Sequence, residues 1–330
     1  MRTNLKKKLR PLILLSAFLV VSSPTQARLL PPRTIPSSAL GGDRTIRIYL
    51  PPSYDSAPQR RYPVLYLHDG QNVFSSAGPG VAFGWGNWEL DLTADRLVAE
   101  NKMREIIMVA IDNSPMRYQE YRGPARDWSE AERRNSRRRI IDPGDNTRYE
   151  AYRRFLIDEL KPRLDGEFRT LTNAANTGVL GSSMGGICSL ALAWDRPDVF
   201  GLAASISGAY QVENRWFLDG VLKPYRGKRK SFRVYLDSGT ASPGRGDDGA
   251  EDTRRVADAL QRIGWTPGLN LLHFVDEKPM TEAALTPFYL APDKLAEAQK
   301  SQHNELYWRL RAWRALVFLF PPSGSRGSHP

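Results

Sequence analysis

Ser183 stands between two glycines in Gly181-Ser182-Ser183-Met184-Gly185-Gly186, a spacing that presents a serine hydroxyl as a nucleophile. The apolar run Gly178-Val179-Leu180 precedes it, and the helix-like Ile187-Cys188-Ser189-Leu190-Ala191-Leu192-Ala193-Trp194 follows. A strand, a very tight turn and a helix hold such a serine at strained backbone angles. Small neighbours are required, because a side chain at Gly181 or Gly185 would run into the adjoining strand or helix. A hydroxyl is a poor nucleophile near neutral pH, so it needs a base within hydrogen-bond reach and an acid behind that base.

Four histidines are available. His329 sits in a Gly/Ser/Pro tail, and His273 lies inside the strand-like Leu271-Leu272-His273-Phe274, where a satisfied structural role is expected. His68 ends the strand-like Val64-Leu65-Tyr66-Leu67 but precedes the serine. In strand-turn-helix hydrolases the chain order is serine, acid, histidine, which leaves His303, just before the last helical segment. The acid belongs between Ser183 and His303, beyond the strand-like Phe232-Arg233-Val234-Tyr235-Leu236. Asp247 is favoured, Asp248 is the alternate, and Asp237, directly at the strand end, is third. The acid's task is to hold the imidazole tautomer and stabilise the imidazolium. For the oxyanion, one donor is the N–H after the nucleophile, that of Met184. A second is expected in His68-Asp69-Gly70-Gln71-Asn72, where Gly70 permits close approach and the Gln71 N–H is the choice. The same residues also read as an ordinary Asp-Gly turn.

The elements that must carry these groups alternate. Arg44–Leu50 has the period-two pattern of a half-buried strand. Tyr62–Leu67, Ile106–Ile111, Gly178–Leu180, Leu202–Ser207, Phe232–Leu236 and Leu269–Val275 read as buried strands. Between them Tyr149, Tyr152, Leu156 and Leu160 recur at helical spacing and are expected to stop before Pro162. Val256, Leu260 and Ile263 form a second helical face ending at Gly264. Leu306, Leu310, Trp313, Val317 and Phe320 form the last. Strands alternating with helices predict an α/β fold with a mostly parallel central sheet covered on both faces. One domain over 28–330 is expected, with no internal repeat.

The 330 residues hold an ordinary hydrophobic fraction of 41% and a formal charge of +11. Arg2, Lys6, Lys7, Lys8 and Arg10 precede an apolar run from Leu12 to Val21 and then Ser23-Pro24-Thr25-Gln26-Ala27. That is the pattern of a signal peptide over 1–27, cleaved after Ala27, and it predicts a periplasmic or secreted protein. The apolar run is too short for a bilayer span, so no stable membrane insertion is expected after cleavage. The leader carries five basic residues and no acidic one, so the charge falls to +6 without it. The run Arg133, Arg134, Arg137, Arg138 and Arg139 reads as a solvated face. Zinc-ligand spacing and aromatic-basic patterning are absent from the sequence, so nucleic acid is not an expected partner. The single cysteine, Cys188, excludes an internal disulfide and reads as a buried small residue.

Several of these stretches together resemble the putative esterase family of α/β-hydrolases. They are Tyr66 to Phe74, Arg117 with Glu120-Tyr121, Glu159-Leu160-Lys161-Pro162, Gly181 to Gly186, and His303-Asn304-Glu305 with Trp308. The family includes siderophore (enterobactin-type) esterases, feruloyl and acetyl-xylan esterases, S-formylglutathione hydrolases and mycolyltransferases. The resemblance implies the α/β-hydrolase fold and acyl-enzyme chemistry without metal or cofactor. It implies Ser183 as nucleophile, His303 as proton shuttle, and a small-molecule or carbohydrate-linked ester as substrate. Acyl transfer to a sugar hydroxyl, or a catalytically silent binding protein, are the alternatives on the same fold. The aromatics Trp85, Trp88, Tyr118 and Tyr121 suit an aromatic or carbohydrate ligand. One departure is the long segment Lys278 to Gln302, where relatives run a short loop to the histidine. It is expected either as a flap giving apolar contacts to a substrate or as an insertion packed elsewhere on the surface.

Overall fold

A computed structural model describes residues 27–124, 147–242, 246–322 and 324. The leader, the arginine run at 133–139 and His329 lie outside the described residues. Nine strands form one sheet: β1 (Arg28–Leu29), β2 (Arg33–Ser37), β3 (Gly42–Leu50), β4 (Val64–Leu67), β5 (Ile107–Ile111), β6 (Thr177–Ser182), β7 (Leu202–Ile206), β8 (Arg233–Gly239) and β9 (Leu271–Asp276). Their order is β1-β3-β5-β4-β6-β7-β8-β9, with β2 also paired to β3. From β5 to β9 every pairing is parallel, while β3 joins β5 antiparallel.

The inner strands are buried on both faces, which explains the near-continuous apolar runs Val64-Leu65-Tyr66-Leu67 and Ile107-Met108-Val109-Ala110-Ile111. Alternate side chains serve two separate cores. Tyr66, Val109 and Val179 join the helices Thr147–Arg154, Met184–Asp195 and Ala250–Ile263 on one face. Leu65, Met108 and Leu180 join the helices Leu90–Ala99 and Glu305–Leu319 on the other. This is the α/β-hydrolase architecture. It brings the carboxyl ends of β4, β5, β6, β8 and β9 to one edge, where ligands bind in open parallel sheets. Among the described residues no helix is long and apolar enough to cross a membrane.

Three expectations about elements are corrected. The helix expected to stop before Pro162 continues to Glu167. A π-turn over Phe155–Leu160 directly precedes the Lys161–Glu167 segment, and the proline sits in the first turn of that segment. A residue without N–H is tolerated at such a start. The strand expected from Leu269 begins at Leu271, and Leu269 is an exposed turn residue. In the last helix, Leu310, Trp313 and Val317 are only half-buried, while Arg311, Ala312, Ala315 and Leu316 lie fully inside. The period was right but the face was rotated by about one residue, because a buried arginine is invisible to an apolar count.

Candidate active site

The turn after β6 places Ser183 at φ 53°, ψ −119°, a positive φ that a non-glycine residue seldom adopts. Backbone bonds hold it there: Ser183 N donates to Ile206 O at 3.0 Å, and Ser183 O accepts from Ala209 N at 2.9 Å. The glycine requirement is literal. A Cβ on Gly181 would stand 2.6 Å from the Gly185 carbonyl carbon, and one on Gly185 would press on His68 Cβ at 3.0 Å. That second contact puts the start of the helix Met184–Asp195 against the loop His68–Asn72.

The structure brings His303 to this serine, with Nε2 3.0 Å from Ser183 Oγ. Its Nδ1 lies 2.5 Å from Oδ1 of Asp248. Asp247, the acid favoured from sequence, is elsewhere. Its oxygens accept from Gly249 N at 2.8 Å and Glu251 N at 3.1 Å, so it caps the start of the helix Ala250–Ile263. The two neighbours point to opposite tasks, and only Asp248 turns inward. Asp237, the third candidate, is fully buried within β8, where it accepts from Tyr235 Oη at 2.9 Å and Ser207 N at 3.2 Å. Burial works to raise the Asp248 carboxyl, but His303, Arg311 and the Ser207 hydroxyl outweigh it and bring the group below its ordinary range. For Asp237 burial wins, and its carboxyl is raised.

Arg311 is the functional-site residue that sequence reasoning missed. It is buried below the imidazole, with Nη2 3.3 Å from Asp248 Oδ2 and 2.5 Å from Ser207 Oγ. Asp237 at 3.5 Å and Asp276 at 3.8 Å complete a ring of three carboxylates around one guanidinium. The signal available was one of three arginines in the last helix, Arg309, Arg311 and Arg314, and nothing in the sequence singles out the middle one. Ser207, itself at φ 45°, donates its hydroxyl to Asp248 Oδ2 at 2.5 Å, and Gly239 N donates to the same oxygen at 2.7 Å. Gln302 is fully buried beside the histidine. Its Oε1 accepts from Thr240 N and Ala241 N at 2.8 and 3.1 Å, and its Nε2 donates to Asp276 O at 2.9 Å. It thereby ties the histidine loop to the ends of β8 and β9.

The remaining histidines are placed away from this role. His68 is buried with Nδ1 2.9 Å from Tyr152 Oη, and burial holds its imidazole down at about 3. His273 lies in β9, lowered by burial, but its Nε2 has no hydrogen-bond partner among the described residues, so it is not the satisfied histidine expected.

Met184 opens its helix and Gln71 is the second residue of the turn Gly70–Asn72, so neither backbone N–H has an intrahelical acceptor. Gln71 is held by its side chain, whose Oε1 accepts from Asn113 N at 3.1 Å. Asp69 receives the Arg117 fork at 2.6 and 2.7 Å and Asn113 Nδ2 at 2.5 Å, so the loop is fastened to the segment after β5. Gly70 crosses the β5 backbone so closely that a Cβ would meet Ile111 N at 2.5 Å. Asn72 Nδ2 reaches Glu305 Oε1 at 3.4 Å. Burial, with Asp69 nearby, pushes the Glu305 carboxyl up to about 7, against smaller opposing effects of its own backbone, Arg117 and Asn72.

Other residues singled out in the sequence are structural. Glu159 accepts from Ser37 Oγ at 2.5 Å and Ala39 N at 2.9 Å, and Glu120 takes both nitrogens of buried Arg44. Trp88 and Tyr121 are core residues, and Trp85 lines a cavity. Cys188 is buried, its thiol pushed up by desolvation. The segment 278–302 packs Leu285 and Ala298 against Leu306 and Tyr307, beside Trp85. The Tyr307 hydroxyl accepts from Met280 N at 2.7 Å and donates to Ala298 O at 2.8 Å, pinning both ends of the segment. Among the described residues no group of three or more His, Cys, Asp or Glu is placed to hold a metal ion.

A serine hydroxyl, an imidazole and a carboxylate in series are groups of the kind that acyl transfer uses. Residues 37–264 match the family described as Putative esterase, a match that ends before the segment 278–302 and His303. An endo-1,4-beta-xylanase/feruloyl esterase from Xylanibacter ruminicola is 30% identical over 52% of this chain and 20% of its own length. The uncharacterized protein YbbA of Bacillus subtilis is 25% identical over 52% of this chain and 60% of its own. The chain thus spans less than two thirds of the length of these curated relatives. Among solved structures, a ferulic acid esterase superposes with TM-score 0.61 at 18% identity, covering 89% of this chain and 98% of that one. The enterobactin esterase of Shigella flexneri, with enterobactin present, gives 0.59 at 18% identity over 90% of this chain and 60% of its own. At such identities these two establish the fold. The family match spans most of the chain, and by it this protein belongs to the putative esterase family, ester hydrolases of the α/β-hydrolase fold.

Proposed function

We propose that the protein is an exported serine carboxylic-ester hydrolase working through an acyl-enzyme on Ser183. His303 Nε2 takes the Ser183 proton as Oγ attacks the ester carbonyl, and Asp248 holds the Nδ1–H tautomer and stabilises the imidazolium. The N–H groups of Met184 and Gln71 receive the oxyanion. His303 then gives its proton to the departing alcohol, and a water deprotonated by the same imidazole releases the acid. The observation that carries this reading is the continuous contact Ser183–His303–Asp248 at 3.0 and 2.5 Å, built on a strained serine. Export rests on the leader over 1–27. The named relatives point to a polysaccharide-linked or siderophore-type ester.

A fluorophosphonate probe tests the mechanism: it should label the wild type and fail to label Ser183→Ala. An unlabelled, correctly folded wild type would sink the reading. Hydrolysis of short p-nitrophenyl esters, feruloyl esters and a catecholate siderophore then sorts the substrate.

A further inference from the structure

A cavity of about 290 Å³ lies alongside the site, near the lower end of small-molecule pockets. Three stretches wall it: the loop after the Gly70–Asn72 turn, through Trp85 and Glu89; the segment 278–302, through Phe288 and Tyr289; and the last helix, through Leu306 and Arg309. Its link to the chemistry is short. Trp88, between the wall residues Asn87 and Glu89, packs 6.0 Å from the Trp308 ring, which stands edge-on to His303 at 5.1 Å.

Two features describe what would fit. First, aromatic faces are presented with no internal packing duty. Tyr289 is 93% exposed, and Phe83, one residue before the wall residue Gly84, is 96% exposed. Both hold positive φ, 50° and 58°, as does the wall residue Glu89, so two strained non-glycine residues, Tyr289 and Glu89, line this one cavity. Strain of this kind concentrates where ligands are held. Second, the charges at the wall are compensated. Arg309 pairs with Glu89 at 3.0 Å while lying over the Phe288 ring at 5.4 Å, and Lys294 sits over Trp85 at 4.7 Å and reaches Glu297 at 3.4 Å. Among the described residues that line the cavity, the one cation, Arg309, is matched by a carboxylate. A carboxylate beside a guanidinium offers acceptors and donors to neighbouring hydroxyls, and the aromatic faces suit the C–H face of a pyranose.

We propose that this cavity is a subsite for a neutral sugar residue of the carbohydrate that carries the ester, formed by the segment 278–302. The proposal rests on the esterase reading and narrows its substrate class to a glycan-linked ester. The sugar stacks on Tyr289, its hydroxyls bridge Glu89 and Arg309, and the acyl group reaches toward Ser183.

The test separates binding from turnover. Xylotetraose, cellotetraose and mannotetraose, which contain no ester, are titrated into Ser183→Ala and into Ser183→Ala/Tyr289→Ala by calorimetry. At least one should bind the first protein and bind the second about 3- to 10-fold more weakly, as expected for loss of one stacked ring. In the Ser183-intact protein, Tyr289→Ala should raise KM for a feruloylated oligosaccharide by the same factor and leave kcat/KM for methyl ferulate unchanged. Tyr289 is almost wholly exposed, so its truncation does not disturb the core. Absence of binding by all three oligosaccharides overturns the proposal. So does an equal effect of Tyr289→Ala on both esters, or an effect on 2,3-dihydroxybenzoyl-serine ester hydrolysis alone. Sugar binding without turnover of any ester would instead overturn the esterase reading and leave the subsite standing.

Discussion

Asp248→Asn isolates the step on which the proposed chemistry depends. Oδ2 of Asp248 accepts from Ser207 Oγ, Gly239 N and Arg311 Nη2, at 2.5, 2.7 and 3.3 Å. An asparagine must keep its carbonyl oxygen toward those three donors, so its amide nitrogen takes the position facing His303. A donor then opposes Nδ1, and the imidazole satisfies it only by moving its proton to Nε2. That tautomer cannot accept the Ser183 proton. Asparagine replacement that enforces the wrong tautomer in a triad costs about 10⁴-fold in kcat. At about 1.36 kcal/mol per tenfold, this is about 5.5 kcal/mol of barrier. Asp247→Asn keeps one of the two accepting oxygens at the helix start, costing about 1 kcal/mol of stability or less with kcat within about twofold. Steady-state hydrolysis of p-nitrophenyl acetate, with a thermal melt of each variant, separates the two effects. The reasoning fails if Asp248→Asn melts normally yet keeps kcat within tenfold, or if Asp247→Asn is the crippled protein.

Glu305 makes a prediction about pH. Its folded carboxyl sits at about 7, above the ordinary carboxylate value, so between about pH 4.5 and 7 the folded state binds more protons than the unfolded one. Stability contributed by the neutral form is therefore lost as pH rises through that window. The wild-type Tm should fall from pH 5 to pH 8 more than that of Glu305→Gln; parallel curves would refute the assignment. Arg311→Met should destabilise by about 3–5 kcal/mol in urea unfolding, because it strands buried carboxylates, and adding Asp237→Asn should recover part of the loss. A loss below 1 kcal/mol would show that the ring is not coupled. Gly181→Ala should cost about 1–3 kcal/mol or more, since its Cβ meets backbone, whereas Gly166→Ala, with open space at a helical position, should gain up to about 1 kcal/mol. Chemical denaturation of the pair decides it.

What the sequence made legible follows from how locally each feature is determined. The small residues at the Ser183 turn are demanded partly by a contact within five residues, Gly181 against Gly185, so its motif is visible locally. The parallel strands read correctly because burial on both faces leaves only apolar side chains, a signal that depends on each strand alone. Elimination pointed to His303 because four histidines leave few choices. The acid is different. Asp247 and Asp248 are adjacent, and which one turns inward is decided by partners from distant elements: Ser207 after β7, Gly239 on β8 and Arg311 on the last helix. A helix cap and a histidine partner look alike in one dimension, and Asp247 was the better cap. Arg311 escaped for the same reason, since its burial is tolerable only because carboxylates from three other segments surround it.

The same contrast separates the proposed chemistry from selectivity within this chain. Ser183, His303 and Asp248 hang from the rigid carboxyl edge of the sheet, and Gln302 and Arg311 fasten that edge from below. Their positions are fixed by buried polar bonds that cannot be traded singly without stranding a partner. The segment 278–302 is held more simply, by one apolar cluster and by the Tyr307 hydroxyl at its two ends. Its outward face, including Tyr289, bears no packing load. Substitutions there can change which ester is accepted while leaving the reacting atoms in place. Selectivity for the alcohol part of the ester should therefore follow the segment 278–302, and turnover of a minimal ester should follow the ring of residues around Asp248.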